Sequence, residues 1–292
     1  MNLINKTTVL INMKPRLYKN LISKYIFLVA TLLSLSVLGI LFWRIISQGL
    51  PYLDWQFMNS LPSRKPENAG IYTALNGTIW LMFVVAPVTF IVGVGTAIYL
   101  EEYAKKNKFT SFIQVNIANL AGVPSVVYGL LGLTIFVRLL ALDTSVIAAG
   151  LTMSLLILPV IIVSSQEAIR SVPNQLREAS YGMGATKWQT IRRVVLPSAV
   201  PGILTGVILA LSRAIGETAP LVVLGIPLFL NVIPNSIFDS FTALPMQIYN
   251  WTSRPDSEFH ALAAAGIIVL LALLIIMNSI AVLIRNKFHK RF

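Results

Sequence analysis

Cysteine is absent from the 292 residues, and histidine occurs only as His260 and His289. Disulfides and thiolate chemistry are therefore excluded, and a Cys/His metal site has almost no ligands to draw on. Charge is scarce as well. Asp, Glu, Lys and Arg make up 12% of the chain, about half the share of an ordinary water-soluble domain. No GxxxxGK[ST] segment is present, and GMGATK at Gly182–Lys187 has the wrong spacing. The chain thus has no loop of the kind that cradles the phosphates of a nucleotide.

What the sequence has instead is long uncharged stretches, in a chain that is 56% hydrophobic. Five of them reach 19 residues or more: Tyr25–Trp43, Ile71–Leu100, Phe109–Val137, Thr144–Gln166 and Phe259–Ile284. A helix of that length crosses a hydrocarbon core of about 30 Å. A sixth apolar region, from Val194 to about Leu230, is interrupted by Arg213 and Glu217. The first stretch is too long for a signal-peptide core and no small-residue cleavage site follows it, so it reads as a retained anchor.

The net charge of +12 is a matter of membrane orientation rather than of nucleic acid. With six spans and a cytoplasmic N-terminus, 17 basic residues fall in the inner segments and four (Arg44, Arg64, Lys65, Arg254) in the outer ones. That is the bias expected when cytoplasmic loops retain Lys and Arg. A seventh span at Thr218–Phe238 would reverse the basic tail, and Pro220, Pro227 and Pro234 each remove a helix donor there. That piece reads as the outer end of span five followed by an irregular outer loop.

The predicted architecture is therefore all-α and polytopic. A cytoplasmic segment at 1–24 precedes spans at about 25–46, 71–100, 109–138, 144–166, 194–224 and 259–284, and a cytoplasmic tail at 285–292 ends the chain. A connection at 167–193 joins spans four and five, and it is long for that task. Within Ser171–Pro197 (SVPNQLREASYGMGATKWQTIRRVVLP) the pattern predicts two short helices. Ser171 is the expected cap of the first, with Pro173 in its first turn, and Thr186 the cap of the second. Gly182 and Gly184 are expected to supply the bend between them.

A basic loop on anionic lipid would account for the charge, but the spacing is more particular. Glu178, Ala179, Ser180, Gly184, Val194, Leu196 and Pro197 resemble the cytoplasmic signature of importer permeases of the ATP-binding cassette class. Ser180 stands where that signature more often has alanine, and Val194 where it has isoleucine. GVGTAIYLEEYAKK (Gly93–Lys106), NLAGVPSVVYGLLGL (Asn119–Leu133) and LSRAIGETAPL (Leu211–Leu221) narrow the likeness to the A-type permease subunit of phosphate-specific transport systems. The resemblance runs from about Gly70 to the C-terminus.

The resemblance implies a type I importer permease fold and a transport subunit with no covalent chemistry of its own. Its implied partners are a homologous second permease, two ATPase subunits that bind and hydrolyse the ATP, and an external phosphate-binding protein. It implies a bacterial inner-membrane location, and makes Glu178, Ala179, Gly184, Leu196 and Pro197 the residues that couple to the ATPase. Permeases for sulfate, molybdate or phosphonate are the nearest alternatives. An ion-driven secondary transporter is a further one, for which Glu217 is the only carboxylate near mid-membrane.

Arg213 and Glu217 are the candidate substrate pathway, because ionisable groups inside a span are costly and usually functional. Four residues apart, they are expected on one helical face, where they either neutralise each other or line the route of an anion. A guanidinium suits a tetrahedral oxyanion, and an acceptor such as Glu217 favours a protonated phosphate. Glu101 and Glu102 read as marking the end of span two. Gly122, Pro124, Gly129 and Gly132 either permit close packing or kink a pore-lining helix. Asn76, Asn116 and Asn119 are read as interhelical hydrogen bonds or as donors to a passing anion.

Overall fold

In the computed structural model the backbone is described for residues 6–289 and the side chains for 18–287. The first five residues of the N-terminal segment and the last three of the tail lie outside the described residues. Ten helices, beside a short one at Trp55–Asn59, organise the rest: α1 (Lys6–Gly49), α2 (Tyr72–Tyr103), α3 (Lys108–Leu120), α4 (Ser125–Leu139), α5 (Val146–Arg170), α6 (Asn174–Gly182), α7 (Lys187–Gly216), α8 (Ala219–Leu224), α9 (Leu244–Thr252) and α10 (Ser257–His289). No strand occurs among the described residues, apart from an isolated bridge between Ser145 and Ser240.

Five helices are long and apolar enough to cross a membrane, in α1, α2, α5, α7 and α10, and α3 with α4 makes a sixth if the pair is one crossing. Helix α5 is central: two thirds of its apolar window (67%) is buried, and it packs against α2, α4 and α7. Its start is fixed by Ser145, whose hydroxyl accepts the Ala148 N–H, one of the orphan donors of a first turn. Small residues let these helices approach. The Cβ that any other residue would carry at Gly77, Gly132, Gly150 or Gly206 would overlap Thr242, Thr152, Val84 or Ser164 respectively. By contrast α1, which packs on α10, has none of its apolar window buried. Such a helix needs lipid or another chain as its solvent.

The expected spans are altered in four places. The third span, read as one helix that Gly122 and Pro124 either pack or kink, is a broken one: α3 and α4 meet at 104°, and neither half alone reaches the roughly 20 residues a crossing needs. Pro124, which lacks an N–H and disfavours a helical residue before it, sits at the break. The Tyr128 hydroxyl donates to the Leu120 carbonyl at 2.8 Å and satisfies an acceptor that the break leaves open. Span five begins at Lys187 rather than Val194 and ends at Gly216, with α8 as a separate short helix.

The N-terminal segment, expected apart from the first span, is continuous with it as α1. The outer loop after α8 is irregular only in part. Residues 225–243 hold no helix, so no seventh span forms, but α9 follows with Leu244, Met246 and Trp251 buried against α2 and α10.

Candidate functional site

The end of the bundle that carries residues 101–108 and 170–193 is rich in basic side chains, and α6 lies across it. Its N-terminal position is Pro173 with no side-chain cap. Ser171, expected to cap α6, instead donates its hydroxyl to the Ala168 carbonyl at 2.8 Å and belongs to the end of α5. At the far end of α6 the Ala185 N–H reaches the Ser180 carbonyl and the Gly184 N–H the Tyr181 carbonyl. That paired closure requires a left-handed residue after the cap, and Gly184 supplies it at φ +83°. Gly182 is an ordinary helical residue, so the bend rests on one glycine rather than two.

Thr186 then caps α7 as expected, in a reciprocal box: its hydroxyl accepts the Gln189 N–H while the Gln189 side chain accepts the Thr186 N–H. The second short helix is not separate, however. It runs through a wide turn at Ile191–Val195 directly into the span, so Leu196 and Pro197 lie within α7, half-buried.

Helix α6 is anchored on one face and open on the other. Arg177 donates to Glu102 at 3.0 Å and to the carbonyls of Val172 and Ile169 at 2.6 and 3.0 Å. Ser180 is buried, with its hydroxyl 2.9 Å from that of Thr190 in α7. Facing away are Glu178, Ala179 and Gly184, all exposed, with Leu176, Tyr181, Met183 and Trp188 as exposed apolar neighbours. Apolar groups clustered on a charged surface mark a place where another macromolecule docks.

Beside α6, Glu101 takes two bonds from Arg170 (2.9 and 2.6 Å) and one from Gln166 (2.9 Å). In the sequence Glu101 and Glu102 read only as marking the end of span two. A hint was available in two adjacent acids at an otherwise basic end, since half-buried carboxylates require partners, but the partners are 69 and 75 residues away.

The second region lies where α7 breaks. Arg213 sits in its last turn, on an exposed stripe with Leu209 and Gly216. Glu217 lies beyond the helix end with ψ 122°, so the two are not on one helical face as expected. Among the described residues no ion pair joins them. The break faces the other broken helix. Helix α8 packs on α4, where a Cβ at Gly129 would come within 2.9 Å of the Pro220 carbonyl oxygen. The small residues of span three therefore divide between two tasks, Gly122 and Pro124 at the bend and Gly129 and Gly132 at close contacts. Asn76 and Asn116 donate to the Tyr72 and Phe112 carbonyls of their own helices, not across helices.

The Binding-protein-dependent transport system inner membrane component model matches residues 89–290, more than half of the chain. The chain belongs to this family. It is 34% identical over 278 residues to the probable ABC transporter permease protein YqgI of Bacillus subtilis, covering 90% of this chain and 94% of that one. To the phosphate transport system permease protein PstA 1 of Mycobacterium tuberculosis it is 34% identical over 278 residues, covering 92% and 90%. To PstA of Mycobacterium leprae it is 37% identical over 248 residues, covering 82% and 80%.

Among solved structures, a bacterial alginate ABC transporter in complex with a pentasaccharide-bound periplasmic protein aligns with TM-score 0.64 at 15% identity, over 96% of this chain and 97% of that chain. An inward-facing MetNI methionine ABC transporter gives 0.60 at 18% identity, over 73% and 93%. The fold is thus that of the type I ABC importer permeases. The chain is a multi-pass membrane protein and a transport component, not an enzyme.

Proposed function

We propose that the chain is one half of the membrane channel of an ATP-driven importer for inorganic phosphate. A homologous second permease stands beside it, two ATPase subunits below and an external phosphate-binding protein above. The observation that carries this reading is α6, anchored by Arg177 and Ser180 while it presents Glu178, Ala179 and an apolar rim to a partner. On this reading ATP is bound and hydrolysed by the partner that docks there. The basic end is cytoplasmic, as are both termini, and the membrane is the bacterial inner membrane; the distribution of Lys and Arg supports that orientation.

The cargo rests on sequence rather than fold. The structural neighbours carry methionine and alginate in their names, whereas the M. tuberculosis and M. leprae relatives, at 34% and 37% identity, carry phosphate. The exposed stripe on α7 supports the second permease. A guanidinium such as that of Arg213, left against hydrocarbon, is expensive, and a facing chain would enclose it in an aqueous path. Phosphate would meet there a planar donor suited to its oxygens, and Glu217 as an acceptor for its proton.

Purification of the tagged chain in mild detergent is expected to bring down an ATPase and a second permease in fixed proportion. Recovery of the chain alone, or only with copies of itself, from membranes that contain those partners would overturn the assembly.

A further inference from the structure

Three successive residues end α2, and each grips a different element. Glu101 holds Arg170 and Gln166 of α5, Glu102 holds Arg177 of α6, and the ring of Tyr103 lies 5.0 Å beneath the ammonium of Lys187 at the start of α7. Consecutive residues of a helix point in different directions around its axis, so three adjacent positions can serve three neighbours arranged around one helix end. The two carboxylates are well covered, at 13% and 9% exposure, and Arg177 at 17%. The Glu102–Arg177 bond is charge-assisted and covered on both sides, the strong kind, whereas Arg170 is 49% exposed and its bonds to Glu101 are more open to solvent. The Lys187 contact is the weakest of the three.

The junction itself borders an open pocket of about 940 Å³, walled by Glu101, Glu102, Arg170 and Arg177 on one side and by Ser111 and Gln114 of α3 on the other. The end of α2 is therefore held toward α5, α6 and α7, and separated from α3 by that pocket.

We infer that Glu101, Glu102 and Tyr103 are positioning residues of transport, a three-way junction that carries displacement of α6 into α2. The inference rests on the reading of α6 as the element that docks the ATPase. Arg177 is its pivot. Because its guanidinium also holds the carbonyls of Ile169 and Val172, any tilt of α6 pulls on the ends of α2 and α5 together. Ser180 and Thr190 pass the same tilt to α7. Without Glu102, α6 would still be held to α5 and α7 but would lose its direct hold on α2.

The test uses the purified complex of the full chain with its second permease and ATPases, in lipid nanodiscs. Basal ATP hydrolysis and hydrolysis stimulated by phosphate-loaded binding protein are measured per assembled complex. Glu102→Gln keeps the shape and an acceptor for Arg177, and is expected to retain basal hydrolysis while stimulation falls about tenfold, within the usual range of coupling between sites. Glu102→Asp should recover part of the stimulation, and Glu102→Gln combined with Arg177→Gln should lose no more than the worse single variant.

A purely structural staple predicts lower yield and lower melting temperature with an unchanged stimulation ratio, and that result would overturn the junction. So would full stimulation in Glu102→Gln. An unstimulated wild-type complex would instead count against the proposed function itself, which keeps the two failures apart.

Discussion

Gly184→Val is expected to abolish phosphate uptake and stimulated ATP hydrolysis in a complex that still inserts and assembles. The reason is local. Gly184 has φ +83° and nothing within 4 Å of the position of a Cβ, so a larger side chain meets open space and the penalty is one of backbone conformation alone. A left-handed L-residue costs roughly 1–2 kcal/mol, and a β-branched residue is a marked outlier there. Escape from that strain breaks the closure of the Gly184 and Ala185 N–H groups on Tyr181 and Ser180. The tip of α6 would then be re-aimed away from its docking partner.

Two companions sharpen the test. Gly184→Asn should be mild, because Asn tolerates this region, and Gly182→Ala should be nearly silent, because Gly182 is helical with open space around it. Uptake rates, with complex yield as the control, decide the matter. Full uptake in Gly184→Val would remove this connection from coupling.

Arg213 carries the second large effect. Hydrogen bonds to charged groups contribute about 1.5–3 kcal/mol each, so loss of a guanidinium that replaces water around an anion should slow uptake about a hundredfold. Arg213→Leu is expected to assemble at normal yield, because no ion pair joins it to Glu217 among the described residues and its removal strands no partner. Arg213→Leu with Glu217→Leu should remain inactive for the same reason. Glu217→Gln, which keeps an acceptor, is expected to lose less. Labelled-phosphate uptake compared with complex yield across the three variants measures this, and recovered uptake in the double variant would show a mere charge pair.

How much of this was legible in advance depended on whether the information was local. Uncharged runs mark α2, α5 and α10 because a membrane helix must be apolar along its whole length. The Thr186 box and the left-handed Gly184 are equally local, written within four residues of where they act. The bend between α3 and α4 was not legible from the run Phe109–Val137, since hydropathy records length and not direction. Pro124 lies within that run, but its neighbours in space decide whether a proline kinks a helix or ends it. Helix α9 was hidden by its shortness, after a stretch that Pro220, Pro227 and Pro234 made read as loop.

The site divided in the same way. The spacing of Glu178, Ala179 and Gly184 is a pattern along the chain, and the exposed face of α6 follows it. The placing of Arg213 and Glu217 on one helical face assumed an unbroken helix. The end at Gly216 followed by Pro220 in α8 separates them. The partners of Glu101 and Glu102 depend on how α2, α5 and α6 come together in space, which no local pattern records.

The central claim is that this chain forms a phosphate path driven by a separate ATPase, and ATP-dependent uptake into proteoliposomes tests it most directly. The chain, its second permease and the ATPases are reconstituted with phosphate-binding protein on the outer side and ATP within. The account predicts accumulation of labelled phosphate that requires this chain, ceases without ATP, and is displaced by unlabelled phosphate but not by equal sulfate, molybdate or phosphonate. Uptake that proceeds without ATP on an ion gradient, or that sulfate displaces as well as phosphate, would contradict it.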